Sequence, residues 1–232
     1  MKKTITALAI LALVAAAPAA AQSGNMSFFI TSAGGGDGAA LGGLAGADQH
    51  CEDLAYPAGV GDLTWHAYLS ALATRSSTSR QPAVNARDRI GSGPWYNYAG
   101  DMIAADVTAL HSDAANLTKQ SILTETGAMS NGRGDDPNMH DILTGSNMDG
   151  TVYMGEGNTN CANWTANGEG SARVGHHDRQ GGGQNPNSWN SAHSSRGCSQ
   201  SDLQGTGGNG FFYCFAIDGN TPQQPAARAE PH

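Results

Sequence analysis

The chain has 232 residues, of which 14% are charged and 32 are glycine, and its formal net charge is -8. Charged residues usually make up about 25% of a protein and glycine about 7%, so this chain is poor in charge and rich in glycine. A coiled coil needs far more Glu, Lys and Leu. A nucleic-acid-binding protein needs a basic face, which 12 Lys and Arg against 20 Asp and Glu do not supply. The composition therefore indicates a mildly acidic, loop-rich domain with no nucleic-acid partner.

Residues 1–21 are predicted to be a secretory signal peptide. Lys2 and Lys3 form a positive start, residues 5–17 are apolar, and residues 19–21 are small residues of the kind that precede cleavage. A membrane anchor is the alternative, but the apolar run is shorter than the roughly 20 residues that a span needs. We expect cleavage, export to the periplasm or the extracellular space, and a mature chain without a membrane span.

The first half of the mature chain contains short elements with clear patterns. Residues 27–31 are β-prone and precede a glycine run, and residues 63–70 alternate in polarity as a half-buried strand does. Between them, apolar residues recur at helical spacing up to Pro57, which predicts a helix with Cys51 on its inner face. Residues 75–81 are predicted to form a polar loop.

The second half is dominated by Gly, Asn, Ser and Asp from residue 127 to residue 210, far longer than ordinary connections of about 4–6 residues. Apolar islands interrupt this stretch, so we predict an ordered, functional loop region. Just before it, residues 103–110 fit a strand or a short helix equally well. Residues 211–216 predict a closing strand, and the Pro/Gln/Ala-rich residues 219–232 predict a disordered tail.

Four cysteines follow the predicted signal peptide: Cys51, Cys161, Cys198 and Cys214. An even number in an exported chain indicates two disulfides, and the sequence alone leaves three pairings open. The cysteines form no CxxC motif and no cysteine–histidine cluster at zinc-finger distance, which argues against a metal site made of cysteines.

Several segments form a specific combination: an early helix with a cysteine, a TWxAYLS-like strand, two cysteines in the middle, and an aromatic closing strand with the last cysteine. They read GGLAGADQHC (42–51), TWHAYLS (64–70), AVNARDRI (83–90), ILTGSNMDG (142–150), CANWTA (161–166) and FFYCFA (211–216). Together they resemble the endostatin-like branch of the C-type lectin fold. A further segment, VGHHDRQGGGQNPNSWNSAHSSRGCSQ (174–200), is similar to a string that recurs in exported bacterial proteins usually labelled lectin or lectin-like.

The resemblance implies an α+β, C-type lectin-like domain over residues 25–218, with short antiparallel strands, few helices and a large ordered loop region. It also implies the disulfides Cys51–Cys214 and Cys161–Cys198. The sugar site of that family does not carry over, because its Glu-Pro-Asn or Gln-Pro-Asp triplet and Trp-Asn-Asp supply acidic calcium ligands. This chain has Asn185-Pro186-Asn187 and Trp189-Asn190-Ser191 instead. Its acidity also argues against the arginine-rich heparin surface of endostatin.

Two groups of residues are candidate metal ligands. The first comprises Asp135, Asp136, Asp141 and Asp149, with Asn138 and Asn147 between them. Calcium takes about six to eight oxygen ligands, so a calcium site is predicted here, with turn formation by Asp and Asn as the alternative. The second comprises His176, His177, Asp178 and His193, and more distantly His111 and His140, whose imidazoles suit zinc. Its alternative is a set of structural histidines, and neighbouring histidines on an extended segment would point in opposite directions.

A ligand pocket is also predicted, lined by His177, Asn187, Trp189, Asn190 and His193. Trp189 and the pair Trp95-Tyr96 are predicted to be exposed and to stack on sugar rings, whereas Trp65 and Trp164 are assigned to the core. The sequence has no GxSxG, HExxH or phosphate-binding loop, so an enzyme is not expected.

These observations favour an exported, non-enzymatic, lectin-like module that binds a glycan or another cell-surface ligand through the loop region between Cys161 and Cys198. The alternative is a structural or adhesive protein of a matrix or filament, whose surface serves self-assembly. A hydrolase is the least favoured class.

Overall fold

The computed structural model describes residues 22 and 24–218, so the predicted signal peptide (1–21) and tail (219–232) lie outside the described residues. It is an α+β structure with few helices and short strands, as predicted. The strands are β1 (Phe28–Ile30), β2 (Trp65–Ala67), β3 (Thr74–Arg75), β4 (Arg80–Gln81), β5 (Trp95–Tyr96), β6 (Met102–Ala104), β7 (Asp141–Leu143), β8 (Arg173–His176), β9 (His193–Ser194) and β10 (Gly208–Ala216). The helices are α1 (Gly43–Ala55), α2 (Val107–Leu110), α3 (Cys161–Trp164) and α4 (Gln200–Thr206). No helix of the described residues has the length and apolar character to cross a membrane.

Strand β10 lies at the centre of the main sheet, whose strand order is β1-β10-β7-β8-β9, with β2 also paired to β10. β1 and β2 run antiparallel to β10, as predicted, whereas β7 runs parallel to it, which corrects the expectation of antiparallel strands throughout. Phe212 and Cys214 belong to the apolar cluster that contains Trp65, whereas Tyr213 and Phe215 belong to a second cluster. Because alternate side chains enter two different cores, the strand is a continuous apolar run instead of an alternating one.

Both disulfide pairings implied by the resemblance are confirmed. Cys51–Cys214 joins α1 to β10 and closes a loop of 163 residues, and Cys161–Cys198 closes a loop of 37 residues. Loop-closure entropy gives stabilisations of about 5 and about 4 kcal/mol for loops of these lengths. Those values are large beside the total of about 5–15 kcal/mol that holds a typical domain.

The helix and the flanking strands follow the sequence patterns closely. Helix α1 buries Ala47, Cys51 and Ala55 on its inner face, and it gives way to a π-helical turn over Tyr56–Val60. The predicted strands 27–31 and 211–216 are confirmed as β1 and β10. These elements were predictable because each carries a regular apolar period or an uninterrupted apolar run.

Three local predictions need correction. The strand predicted over 63–70 is only three residues long, because β2 leaves the sheet after Ala67. The segment 75–81, predicted to be a loop, contributes Arg75 and β4 to an exposed two-stranded hairpin. The segment 103–110 contains both of the alternatives, since β6 ends at Ala104 and α2 begins at Val107.

The predicted exposure of Trp95 and Trp189 is wrong, because all four indoles are buried. Trp95 is fully buried, and its indole N–H donates to the carbonyl oxygen of Ala216 at 3.2 Å. Trp189 is 4% exposed and packs on Tyr68 and Tyr213, with ring centroids 4.8 and 5.4 Å away. Trp95 and Trp189 are therefore core residues, whereas Tyr96, predicted with them to stack on sugar rings, is half-buried.

Helix α3 is a single left-handed turn. Its four residues have φ angles between 51° and 67°, although none of them is glycine. Left-handed helical backbone costs roughly 1–2 kcal/mol per L-residue, so neighbouring interactions must hold it in place. The side chain of Asn163 accepts from the amide of Leu72 and donates to its carbonyl oxygen. The indole of Trp164 donates to the carbonyl oxygen of Ser70, and Cys161 is fixed by its disulfide.

The left-handed turn yields a stability prediction at Ala162, whose side chain is exposed and whose φ is 52°. Ala162→Gly removes the Cβ that disfavours this conformation, and the relief should exceed the entropic cost of glycine. We expect a gain of about 0.5–1 kcal/mol in the free energy of unfolding and a rise of a few degrees in Tm. The control is Ala114→Gly, at an exposed alanine without left-handed backbone, and this variant should lower stability. Equal losses of stability in both variants would show that the backbone of Ala162 is not strained.

Candidate functional site

An open cleft of about 600 Å³ lies beside the loop that precedes β9. It is lined by His111, Ser112, Asp113, Met148, Arg179, Gln184, Asn185, Pro186, Asn187, Ser188, Trp189 and Asn190. Amides, hydroxyls, one guanidinium and one carboxylate dominate this lining. Its volume falls in the range of roughly 300–1,000 Å³ that is usual for small-molecule sites.

A directed chain of hydrogen bonds lies under the cleft. The side-chain amide of Asn190 donates to the hydroxyl of Tyr68 at 3.0 Å, and this hydroxyl pairs with Nε2 of His111 at 2.7 Å. Nδ1 of His111 lies 2.8 Å from the carbonyl oxygen of Val107, which can only accept. His111 therefore carries its proton on Nδ1, and Tyr68 donates to Nε2.

The Asn190 amide also ties the loop to its surroundings. Its nitrogen faces the carbonyl oxygens of Asn147 and Met148 at 3.0 and 3.2 Å, and its oxygen accepts from the hydroxyl of Ser188 at 3.0 Å. Asn190 is 1% exposed, so its own side of these bonds is buried. They fix the orientation of the amide and hold one wall of the cleft rigidly.

Burial keeps this chain of bonds in its neutral form. It raises the pKa of Tyr68 above the ordinary value for a phenol, and it lowers the pKa of His111 below the ordinary value for an imidazole. The Tyr68 hydroxyl thus keeps its proton at neutral pH, and His111 stays an acceptor.

The predicted ligand residues divide between the cleft and other surroundings. Asn187, Trp189 and Asn190 line the cleft, whereas His177 and His193 do not. His177 is fully buried, and its Nε2 lies 2.9 Å from the carbonyl oxygen of Asn131. Of the three lining residues, only Asn187 is substantially exposed to an incoming ligand.

The four predicted calcium carboxylates lie in different surroundings. Asp135 pairs with Lys119, and this bond lowers the pKa of Asp135. Asp149 accepts from the hydroxyl and amide of Thr151, which lowers its pKa as well. Asp136 is exposed and Asp141 is buried in β7, so the calcium site stays a prediction that this arrangement does not favour.

Asp141 instead belongs to what we call the His/Asp cluster: His140, Asp141, His176 and His193. Strand register creates it, because Asp141 pairs directly with His176 across β7 and β8, and His193 pairs with Val174, two residues away from His176. Among the described residues, His140, Asp141 and His176 form the group whose ligand atoms lie within 4.8 Å of one another.

Three imidazoles converge on one carboxylate oxygen. The Nε2 atoms of His140, His176 and His193 lie 3.3, 3.3 and 3.4 Å from Oδ1 of Asp141, yet neither oxygen of this carboxylate has a hydrogen-bond partner among the described residues. Nε2 of His176 also lies 2.9 Å from Nε2 of His193. Although burial raises the pKa of Asp141, the neighbouring imidazoles lower it below the usual value, and the carboxylate is ionised.

Each of the three imidazoles is oriented by its other nitrogen. Nδ1 of His176 lies 2.7 Å from the carbonyl oxygen of Pro186, and Nδ1 of His193 lies 3.2 Å from that of Ser194. Nδ1 of His140 lies 3.2 Å from the carboxylate of Asp178. Although burial raises the pKa of Asp178, its bonds with His140 and with backbone amides lower it far below the usual value, so this carboxylate is charged. All three Nδ1 atoms thus face acceptors, and all three Nε2 atoms face Asp141.

The sequence placed these four residues in two separate candidate sites. The sequence pattern places Asp141 among calcium ligands and the histidines with His177. His177 points away from the cluster, as the alternation of an extended segment predicts. The pairing of β7 with β8 brings Asp141 and the histidines together, and no local sequence pattern predicts this pairing.

No protein-family model matches this chain, and no curated protein matches it either. The resemblance to endostatin-like and C-type lectin-like proteins therefore stays a resemblance.

A pH prediction follows from the hydrogen-bond chain under the cleft. The pKa of His111, measured by NMR titration, should lie below the value of about 6.5 for a free imidazole. Tyr68→Phe removes the hydroxyl that donates to Nε2, so it should raise this pKa and cost about 1–3 kcal/mol of stability. Because the folded pKa is depressed, the contribution of His111 to stability is present above about pH 6.5 and is lost as the pH falls towards the folded value.

Tyr213→Phe is the matched control for Tyr68→Phe. It deletes another fully buried hydroxyl, which donates to the carbonyl oxygen of Trp189 at 3.0 Å. This variant should lose stability while leaving the pKa of His111 unchanged. An equal shift of the His111 pKa in both variants would show that the Tyr68 hydroxyl does not control it.

Proposed function

We propose that this protein is an exported, non-catalytic binding module that holds a glycan in the cleft beside Asn187. The observation that carries the proposal is the lining of the cleft, where side chains that form hydrogen bonds surround an open volume of about 600 Å³. Sugar hydroxyls both donate and accept, and the amides of Gln184, Asn185 and Asn187 can do the same.

The cleft is preorganised, which supports a role in ligand binding. The side chain of Asn190 and the carbonyl oxygen of Trp189 are held by hydrogen bonds. The loop that begins at Gln184 is therefore anchored at its C-terminal end. A rigid wall lowers the entropy that a ligand must overcome. Arg179 and Asp113 add charges of both signs at the rim, which suits a polar ligand better than an apolar one.

Export and a lectin-like fold belong to the same proposal. Two disulfides are typical of proteins that mature in an oxidising compartment, and the nested pairing of first with last cysteine agrees with the endostatin-like resemblance. We assign the protein to the periplasm or the extracellular space. A catalytic role is not part of the proposal.

The test is a glycan-array screen of the oxidised mature protein, carried out with calcium and with EDTA. We expect binding to a subset of glycans in both buffers, and the best glycan is then titrated against variants. Asn187→Ala and Arg179→Gln should each weaken binding by at least about tenfold, or 1.4 kcal/mol. Arg75→Gln, on the exposed β3–β4 hairpin outside the cleft, is the control and should bind like the parent.

Two results would overturn the proposal. One is the absence of glycan binding in both buffers, and the other is binding that neither cleft variant weakens. Light scattering on the same samples examines the alternative of a matrix or filament protein, for which reversible, concentration-dependent assembly without a sugar requirement is the expected result. Binding that disappears in EDTA and returns on addition of calcium but not of zinc would instead favour the calcium prediction and the Asp135–Asp149 segment.

A further inference from the structure

The Asp141 carboxylate needs a positive partner. Its side chain is 2% exposed, and no donor forms a hydrogen bond with either of its oxygens among the described residues. An ionised carboxylate without hydrogen bonds is costly inside a protein. A buried charge of this kind is normally paired or bound to a metal, and among the residues that the structure describes three imidazole nitrogens face it.

The orientation of those imidazoles points to a cation as the partner. Each Nδ1 faces an acceptor, either the carbonyl oxygen of Pro186 or Ser194 or the carboxylate of Asp178. In that tautomer Nε2 is the nitrogen available to a metal, and all three Nε2 atoms lie within 3.4 Å of Oδ1 of Asp141. Nε2 of His176 and Nε2 of His193 form a hydrogen bond with each other that an entering ion would replace, and the stacked rings of His140 and His176 would turn towards the ion. Metal-binding histidines are commonly oriented in this way, by a carboxylate or a backbone carbonyl on the second ring nitrogen.

Three of the six distances among the four ligand atoms match the edges of a tetrahedron. The ligand atoms of His140, Asp141 and His176 lie within 4.8 Å of one another, and His193 would approach His140 when an ion binds. Metal–ligand bonds of about 2.0–2.1 Å, usual for zinc with imidazole or carboxylate ligands, give ligand–ligand edges of about 3.3–3.4 Å. The three distances from Oδ1 of Asp141 to the imidazole nitrogens are 3.3, 3.3 and 3.4 Å. The edge between His176 and His193 is shorter, at 2.9 Å, and would lengthen when an ion enters.

We propose that His140, Asp141, His176 and His193 bind one Zn²⁺ ion in a closed tetrahedral site. Three nitrogens and one oxygen suit zinc, whereas calcium prefers a larger set made only of oxygens. Four protein ligands leave no open position for substrate, so the ion is structural. This inference goes beyond the proposed glycan binding and does not depend on it.

The ion would fasten the cleft loop to the sheet. His176 and His193 are the residues on either side of segment 177–192, which contains most of the cleft lining. Gly181 and Gly183 pack their backbone directly on the cluster, because a Cβ at these positions would lie 2.4 Å from the His176 ring and 2.8 Å from the His193 ring. Glycine at both positions lets the loop close over the site.

The experiment uses the full oxidised chain, without a histidine tag, after removal of metal by a chelator. Zinc is titrated in competition with a chromogenic indicator, and bound metal is counted by elemental analysis. We expect one Zn²⁺ per chain, a rise in Tm on zinc addition, and the intense visible absorption of tetrahedral Co²⁺ when cobalt replaces zinc. None of these readouts requires a glycan, so the two proposals fail independently.

Asp141→Asn and His193→Ala should each weaken zinc binding by more than about 100-fold. Asn is close in shape to Asp and lacks the buried charge, so Asp141→Asn should raise the Tm of the metal-free protein while abolishing the rise that zinc causes. His193 is the most exposed ligand, at 23% of its side chain, which makes its variant the least disruptive to folding. His177→Ala is the control, because this neighbouring imidazole faces Asn131 and should not affect zinc affinity.

Three results would overturn the inference. They are the absence of stoichiometric zinc binding by the parent, zinc affinity unchanged in Asp141→Asn and His193→Ala, and a weak, octahedral Co²⁺ spectrum. The first would mean that a protonated imidazole balances Asp141 without a metal. Asp178→Asn completes the series, since replacing the charged acceptor of His140 with a neutral one should reduce affinity by about 10–100-fold without removing a ligand.

Discussion

Strand β10 has no solvent-facing side, and the arrangement of the other elements depends on this constraint. Phe212 and Cys214 face one core, and Tyr213 and Phe215 face the other, so both faces must be covered. Helix α1 is locked onto the first face by the disulfide Cys51–Cys214, and the aromatic ring of Trp189 helps to cover the second. A chain with few large apolar residues thus concentrates them around one strand and supplies the remaining stability through covalent links.

The same strand positions the His/Asp cluster. β7 pairs in parallel with β10, with Asp141 opposite Gly208, and a Cβ at Gly208 would lie 2.6 Å from the carbonyl oxygen of Asp141. This close approach requires glycine and brings the start of β7 under the loop that carries the cleft. The two proposed sites are therefore neighbours: one side of segment 177–192 closes on the histidines, and the other side lines the cleft. An ion in the cluster would act on the cleft through this shared backbone.

Local patterns predicted the elements that are defined by their own sequence. The apolar period of α1 and the apolar runs of β1 and β10 are sufficient to predict these elements, because burying one helix face or a whole strand requires apolar residues at regular positions in the sequence. The exposure of Trp95 and Trp189 could not be predicted, since turns rich in glycine and proline around an indole are compatible with surface or core. The grouping of Asp141 with His176 depends on strand register, and register is set by long-range packing. The left-handed turn at Cys161–Trp164 carries no glycine signal and is imposed by its hydrogen bonds to distant residues.

The nested pairing of the cysteines also bears on how the chain matures. In a chain exported from its N-terminus, as proposed, Cys51 emerges first, Cys161 and Cys198 follow, and Cys214 emerges last. Pairing in the order of emergence would join Cys51 to Cys161 and leave α1 tied to the wrong part of the molecule. The native bond forms only if Cys51 stays reduced until β10 has been delivered, or if a thiol–disulfide exchange catalyst releases it from an earlier partner. Under the proposed export, formation of the native disulfides would depend on delivery of the last strand, and the yield of folded protein should depend on the isomerase activity of the receiving compartment.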